Sequence, residues 1–201
     1  MAVFPAFLKL AGRKVLVVGG GPMAAAKIAP LQQAGAVIHV VSPEICAALD
    51  VTAVRSVMQR EFQPADLDGA WLVVAAATSE VNREVATEAA RRQLFVNAVD
   101  DPENASVYLG GVVRRGGATI AISTDGAAPA LAGLLREALD AALPEETEME
   151  TWLARARELR AVWRANGVPM TARRPQLLET LNGIYDTPAD LASTSPAGAS
   201  R

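Results

Sequence analysis

Short uninterrupted apolar runs alternate with longer stretches of helical periodicity along the first hundred residues. Val15-Leu16-Val17-Val18 is apolar at every position, the pattern of a parallel strand covered on both faces. An Ala-rich stretch from Met23 to Ala34 predicts a helix, and Gly35 leads from it into a second apolar run, Val37-Ile38-His39-Val40-Val41. Residues 54–60 predict a short strand or a helix end, and Ala70 to Ala76 a buried strand. A helix is expected from Val81 to Gln93, after the cap-like Thr78-Ser79, and a strand from Leu94 to Val99 that ends at Asp100. Strands separated by helices predict a parallel sheet wound by right-handed crossovers, and ligands of such sheets bind beyond the carboxyl ends of the strands. Gly19, Ser42, Thr78 and Asp100 are therefore expected on one rim.

From Ser106 the pattern changes. Val107 to Val113 and Ala118 to Ser123 alternate as strands, and Arg114-Arg115-Gly116-Gly117 reads as the turn between them. This hairpin is expected to extend the sheet. The loop Thr124 to Pro129 opens an amphipathic helix from Ala130 to Leu143, which Pro144 stops. Further helices are expected from about Glu148 to Ala165 and from Pro175 to Tyr185. Residues 187–201 are rich in Ser, Thr, Ala, Pro and Gly without periodicity and read as a disordered tail. The expected fold class is α/β. A Rossmann-type parallel sheet (1–106) comes first, then a hairpin-plus-helix dimerisation region (107–144), a small helical region (145–186) and the tail. The helix stripe Leu131, Leu134, Leu135, Ala138 and Leu139 is the expected contact, because a hairpin and one helix are too small to bury themselves alone.

The turn after the first strand carries the first chemistry. Gly19-x-Gly21-x-x-Ala24 matches a dinucleotide fingerprint, set between a strand and a helix in a complete βαβ unit. Gly19 allows the tight turn, Gly21 lets a pyrophosphate approach the backbone, and Ala24 lets helix and strand lie close. Gly20, Pro22 and Met23 complete the turn, whose helix amides and dipole would face the phosphates. The second strand ends in Ser42-Pro43-Glu44, and Glu44 is the candidate for the adenosine ribose.

Composition narrows the class. With 201 residues, 51% of them hydrophobic, the chain can bury one sizeable core and a smaller unit. No apolar run reaches the roughly 18 residues of a membrane span, and no secretory signal is evident, so a cytoplasmic protein is expected, with no membrane partner. A net charge of −3 offers no electrostatic reason to expect nucleic acid. The single cysteine, Cys46, reads as a small apolar filler and the single histidine, His39, as a strand residue, so no metal cluster is expected.

Four motifs in order carry a wider resemblance: Phe4-Pro5-Ala6-Phe7-Leu8-Lys9-Leu10, Val17 to Gly21, Asn97-Ala98-Val99-Asp100-Asp101-Pro102, and Ile120 to Thr124 with Pro129-Ala130-Leu131-Ala132. Together they resemble precorrin-2 dehydrogenase, the N-terminal module of the siroheme synthase family. The resemblance implies oxidation of precorrin-2 to sirohydrochlorin with NAD as hydride acceptor, in a homodimer; some members also insert ferrous iron. It ties catalysis to Asp100, where a carboxylate can accept the proton that accompanies hydride loss. Turn capping is the competing role for Asp100.

Ser123, Thr124 and Asp125 occupy the family's substrate loop, where Asp125 either supplies a polar contact or simply fills a turn. A substrate bearing many carboxylates calls for arginines. Arg114, Arg115 and Arg136 are candidates, against the alternative of a solvated face. Trp152 and Trp163, eleven residues apart, fall on nearly one helix face and are expected to pack in a core or interface. The rival outside enzymes is an NAD-binding regulatory sensor, which has no need of a proton acceptor.

Overall fold

A computed structural model describes residues 3–181. Five strands form one parallel sheet: β1 (Lys14–Val18), β2 (Val37–Val41), β3 (Ser56–Met58), β4 (Leu72–Ala75) and β5 (Phe95–Ala98), in the spatial order β3-β2-β1-β4-β5. Helix α1 (Pro22–Gln33) joins β1 to β2, and α2 (Ser79–Arg91) joins β4 to β5. Alternation along each strand explains the continuous apolar runs, since successive side chains enter opposite faces. Val15 and Val17 join Ile38, Val40, Leu72 and Val74 against Ala24, Ile28 and Leu31 of α1. Leu16 and Val18 join Val41, Val73, Ala75 and Val96 against Val85 and Ala89 of α2. Leu16 is wholly buried, so Leu16→Ala should cost about 2–5 kcal/mol.

The described residues divide into two compact units, one holding residues 3–110 with Ser123–Pro129, the other Gly111–Ile122 and residues 130–181. In the second unit β6 (Gly111–Arg115) and β7 (Ala118–Ile122) pair antiparallel. Three helices follow in the chain: α3 (Pro129–Ala142), α4 (Glu146–Ala165) and α5 (Met170–Thr180). Arg115 lies between β6 and these helices, donating to Asp140 Oδ1 and, at 3.0 Å, to the carbonyl of Pro144. Trp163 is buried, and its Nε1 donates to Gln176 Oε1 at 2.6 Å, joining α4 to α5. Trp152 is half-buried on the same helix.

Several expectations are corrected. The hairpin does not extend the parallel sheet; β6 and β7 form a separate two-stranded sheet. Its first strand begins at Gly111, not Val107, because Ser106 and Val107 donate their amides instead to Val96 O at 2.8 and 3.0 Å, tying this segment beside β5. Arg114 and Arg115 belong to the strand. The turn is only Gly116-Gly117, both at positive φ (52° and 84°), as a two-residue hairpin loop of the primed type requires. Strand β5 stops at Ala98, so Asp100 sits in the turn beyond it. Helix α5 starts at Met170, and Pro175, expected to open it, lies inside it. The expected continuation of that helix to Tyr185 and the tail 187–201 lie outside the described residues.

Candidate functional site

Three consecutive glycines after β1 meet three different demands. Gly19 stands at φ +118°, and a Cβ there would lie 2.2 Å from the carbonyl oxygen of Ala76. Its amide donates to Val41 O at 2.9 Å, so the turn is braced by the neighbouring strands. Gly20 has an ordinary φ, yet a Cβ would lie 2.1 Å from Glu44 O, and its own carbonyl accepts from Cys46 N at 2.8 Å. The segment after β2 therefore rests directly on Gly20. At Gly21 nothing lies within 4 Å of a Cβ.

Gly21 is also the N-cap of α1, with Pro22 in the first turn, where its missing N–H costs nothing. The amides of Met23 and Ala24 have no acceptor within the helix. Open ground over a glycine beside free helix amides is what a pyrophosphate needs, so these residues fit a dinucleotide.

The glycines form one wall of a cleft of about 750 Å³, which Ser42, Pro43, Glu44 and Thr78 also line. Thr78 caps α2, its Oγ1 accepting from Val81 N at 3.4 Å. Pro22 and Met23 stand at the mouth, exposed, and are not among the lining residues. Sequence reasoning missed Glu61, Glu80 and Glu84, which share the cleft. A signal for Glu61 existed: it follows the end of β3 by three residues, as Glu44 follows the end of β2. The three-residue length of β3 hid it.

Asp100 lies beyond the cleft lining, in the turn after β5, with φ +57°. In the order β1-β4-β5 that turn is two strand spacings, about 10 Å, from the glycine turn. Its neighbour Asp101 holds the N-cap position of the short turn Pro102–Asn104, and Asp101 Oδ2 accepts from the Asn104 side chain at 2.8 Å. The exposed Asp100 carboxylate makes no hydrogen bond among the described residues. Asn97 steadies the strand end below it by donating from Nδ2 to Val107 O at 3.0 Å.

The Ser123–Asp125 loop folds on itself, Ser123 Oγ accepting from Asp125 N at 3.1 Å and Thr124 Oγ1 from Ala128 N at 3.3 Å. Asp125, at φ +53°, precedes Gly126, whose Cα faces Tyr108 and Pro102. The loop thus lies against the segment that begins at Asp101. Arg114 and Arg136 belong to the other unit. Arg114 is exposed on β6, whereas Arg136 lays its stem against Gly111 and reaches Glu137 at 3.4 Å. Arg115 is engaged internally by Asp140 and is no free carboxylate receptor.

Cys46 is half-buried against the α1 side of the core, and His39 occupies β2, where Nδ1 lies 2.7 Å from Ser56 Oγ. No group of three or more potential metal ligands occurs among the described residues, and no described helix is long and apolar enough to cross a membrane.

Sheet order, glycine turn and cleft define a dinucleotide-binding α/β protein of the Rossmann type. Residues 6–111 match the profile of a family described as "Putative NAD(P)-binding", and residues 115–142 match one described as "Sirohaem biosynthesis protein central". The chain belongs to this NAD(P)-binding family and, within it, to the precorrin-2 dehydrogenase and siroheme synthase kin that its motifs resemble. It is 43% identical over 148 residues to a siroheme synthase of Photorhabdus laumondii, a match covering 72% of this chain and 32% of that one. Siroheme synthase 1 of Aeromonas salmonicida is 41% identical over 178 residues, 87% of this chain and 38% of that one. The chain thus spans about a third of the length of these relatives. A solved chain titled "SirC, precorrin-2 dehydrogenase" is similar at a TM-score of 0.68 and 26% identity, covering 95% of this chain and 96% of its own length.

Proposed function

We propose that the chain oxidises precorrin-2 to sirohydrochlorin with NAD. The observation that carries this reading is the end-to-end similarity, in fold and extent, to the solved chain titled as a precorrin-2 dehydrogenase. NAD, when bound, supplies the hydride acceptor. Gly21 and the first amides of α1 hold its pyrophosphate, Ser42, Pro43 and Glu44 meet its adenosine half, and Thr78 borders it from the opposite wall. Glu44 and Glu61 argue for NAD over NADP, because a 2′-phosphate would bring further negative charge to a rim already carrying two carboxylates. Asp100 takes the proton that must leave the tetrapyrrole along with the hydride. Ser123, Thr124 and Asp125 offer polar contacts to the macrocycle, and Arg114 and Arg136 receive its carboxylates. The setting proposed is the cytoplasm.

The partner proposed for the 107–144 region is a second copy of the chain. Leu131, Leu134, Leu135 and Leu139 of α3 are 49, 64, 43 and 37% exposed, an apolar stripe left uncovered in the single chain.

Anaerobic incubation with precorrin-2 and NAD tests the activity, read as NADH absorbance and as the sirohydrochlorin spectrum, before and after ferrous iron is added. Stoichiometric NADH and sirohydrochlorin are expected. Saturable NAD binding without NADH formation would leave the sensor reading, and a further spectral change on adding iron would add chelation.

A further inference from the structure

Asn82 is buried, 3% exposed, on the second turn of α2, and it does not line the cleft. Its Oδ1 accepts from Ala77 N at 3.0 Å, while its backbone N–H donates to Thr78 O at 2.8 Å within the helix. The peptide it grips, Ala76–Ala77, is the one that crowds Gly19, where a Cβ would lie 2.2 Å from Ala76 O and 3.2 Å from Ala77 N. On the strand side, Ala76 N donates to Val18 O at 2.8 Å. The Ala76–Ala77 peptide is thus packed on the glycine turn and held by a buried side chain of α2, while the peptide before it is held by β1. Ala77 and Thr78 then form the wall of the cleft that faces Gly19 and Gly21.

We propose that Asn82 is a positioning residue for the dinucleotide: it fixes the wall from Ala76 to Thr78 at the distance from the glycine turn that the cofactor requires. The inference rests on the cleft being the cofactor's seat. The side chain must accept a hydrogen bond and must reach back from the second helical turn, and asparagine does both without burying a charge. Without the acceptor, the Ala77 N–H turns to water and the wall gains freedom that binding must then remove. Ordering one residue weakens binding about tenfold.

NAD titration of Asn82→Leu and Asn82→Asp by calorimetry, beside the melting temperature of each NAD-free protein, tests this. Asn82→Leu, which lacks an acceptor, should bind NAD about tenfold more weakly and raise KM for NAD far more than it lowers kcat. Asn82→Asp keeps the acceptor beside the positive end of α2 and should restore affinity to within about threefold. Parent-like affinity in a folded Asn82→Leu would overturn the proposal, as would equal loss in a folded Asn82→Asp. Amide exchange in the parent protein keeps the idea testable if neither variant folds: the Ala77 N–H should be protected without NAD, and free exchange there would sink the clamp. Failure of the parent to bind NAD, with Ala77 protected, would instead count against the cofactor reading alone.

Discussion

Side by side, the three glycines separate folding from binding. A side chain at Gly19 or Gly20 meets backbone at 2.2 or 2.1 Å, whereas one at Gly21 meets nothing. Gly19→Ala and Gly20→Ala should therefore lower the melting temperature by several degrees, and Gly21→Val should leave it nearly unchanged while abolishing NAD binding. Calorimetry finding parent-like NAD affinity in folded Gly21→Val would remove the proposed seat. The fingerprint in the sequence pointed to Gly19 and Gly21, but the middle position was legible only in three dimensions, because its neighbour, Glu44, arrives from another strand. Asp100 makes the complementary case. Its carboxylate is exposed, and Asp101 takes the local hydrogen bond. Asp100→Asn should keep NAD affinity and lower turnover by about 100-fold or more if the carboxylate is a general base of ordinary strength. Parent-like oxidation of precorrin-2 under saturating NAD would return Asp100 to a turn residue.

The elements around the sheet carry a pH dependence. The Arg60 guanidinium, hydrogen-bonded to Asp66 in the segment between β3 and β4, holds that buried carboxyl below its usual range, helped by the Gln63 amide. Burial on β2, with Lys14 and Arg55 nearby, holds the His39 imidazole below its ordinary value of 6.5. Both folded values lie below the unfolded ones, so in each case the unfolded chain binds the extra proton first. Stability is full above pH 6.5 and declines as pH falls below it through His39. A second loss follows below about pH 4, the unfolded range of an aspartate, as Asp66 takes up its proton. Urea unfolding across pH should show both losses, and His39→Gln should flatten the upper one while leaving the lower. An upper limb unchanged in His39→Gln would assign it elsewhere.

For the molecule as a whole, the exposed leucines of α3 make the dimer the natural prediction. Light scattering should give twice the chain's mass at micromolar concentration, and Leu134→Glu with Leu135→Glu should give the chain's own mass without unfolding it. A monomeric parent would refute the assignment of this face. The chain covers about a third of the length of the siroheme synthases and nearly the full length of the solved precorrin-2 dehydrogenase chain.

Local signals by themselves determined four of the five parallel strands, the helix after the glycine turn and the rim shared by Gly19, Ser42 and Thr78; for the short β3 they left strand and helix end open. Strand runs such as Val15 to Val18 declare burial on both faces, and a turn requiring φ > 0 declares glycine, whatever lies around them. Tertiary structure decided that Ser106 and Val107 lie beside β5, that β6 and β7 pair apart from the sheet, and that Asn82 meets the Ala77 amide. Strand propensity is satisfied equally by either pairing, so it could not choose a partner for the hairpin. The role of a polar side chain depends on whichever backbone group the fold carries within 3 Å of it, and for Asn82 that group is the Ala77 amide.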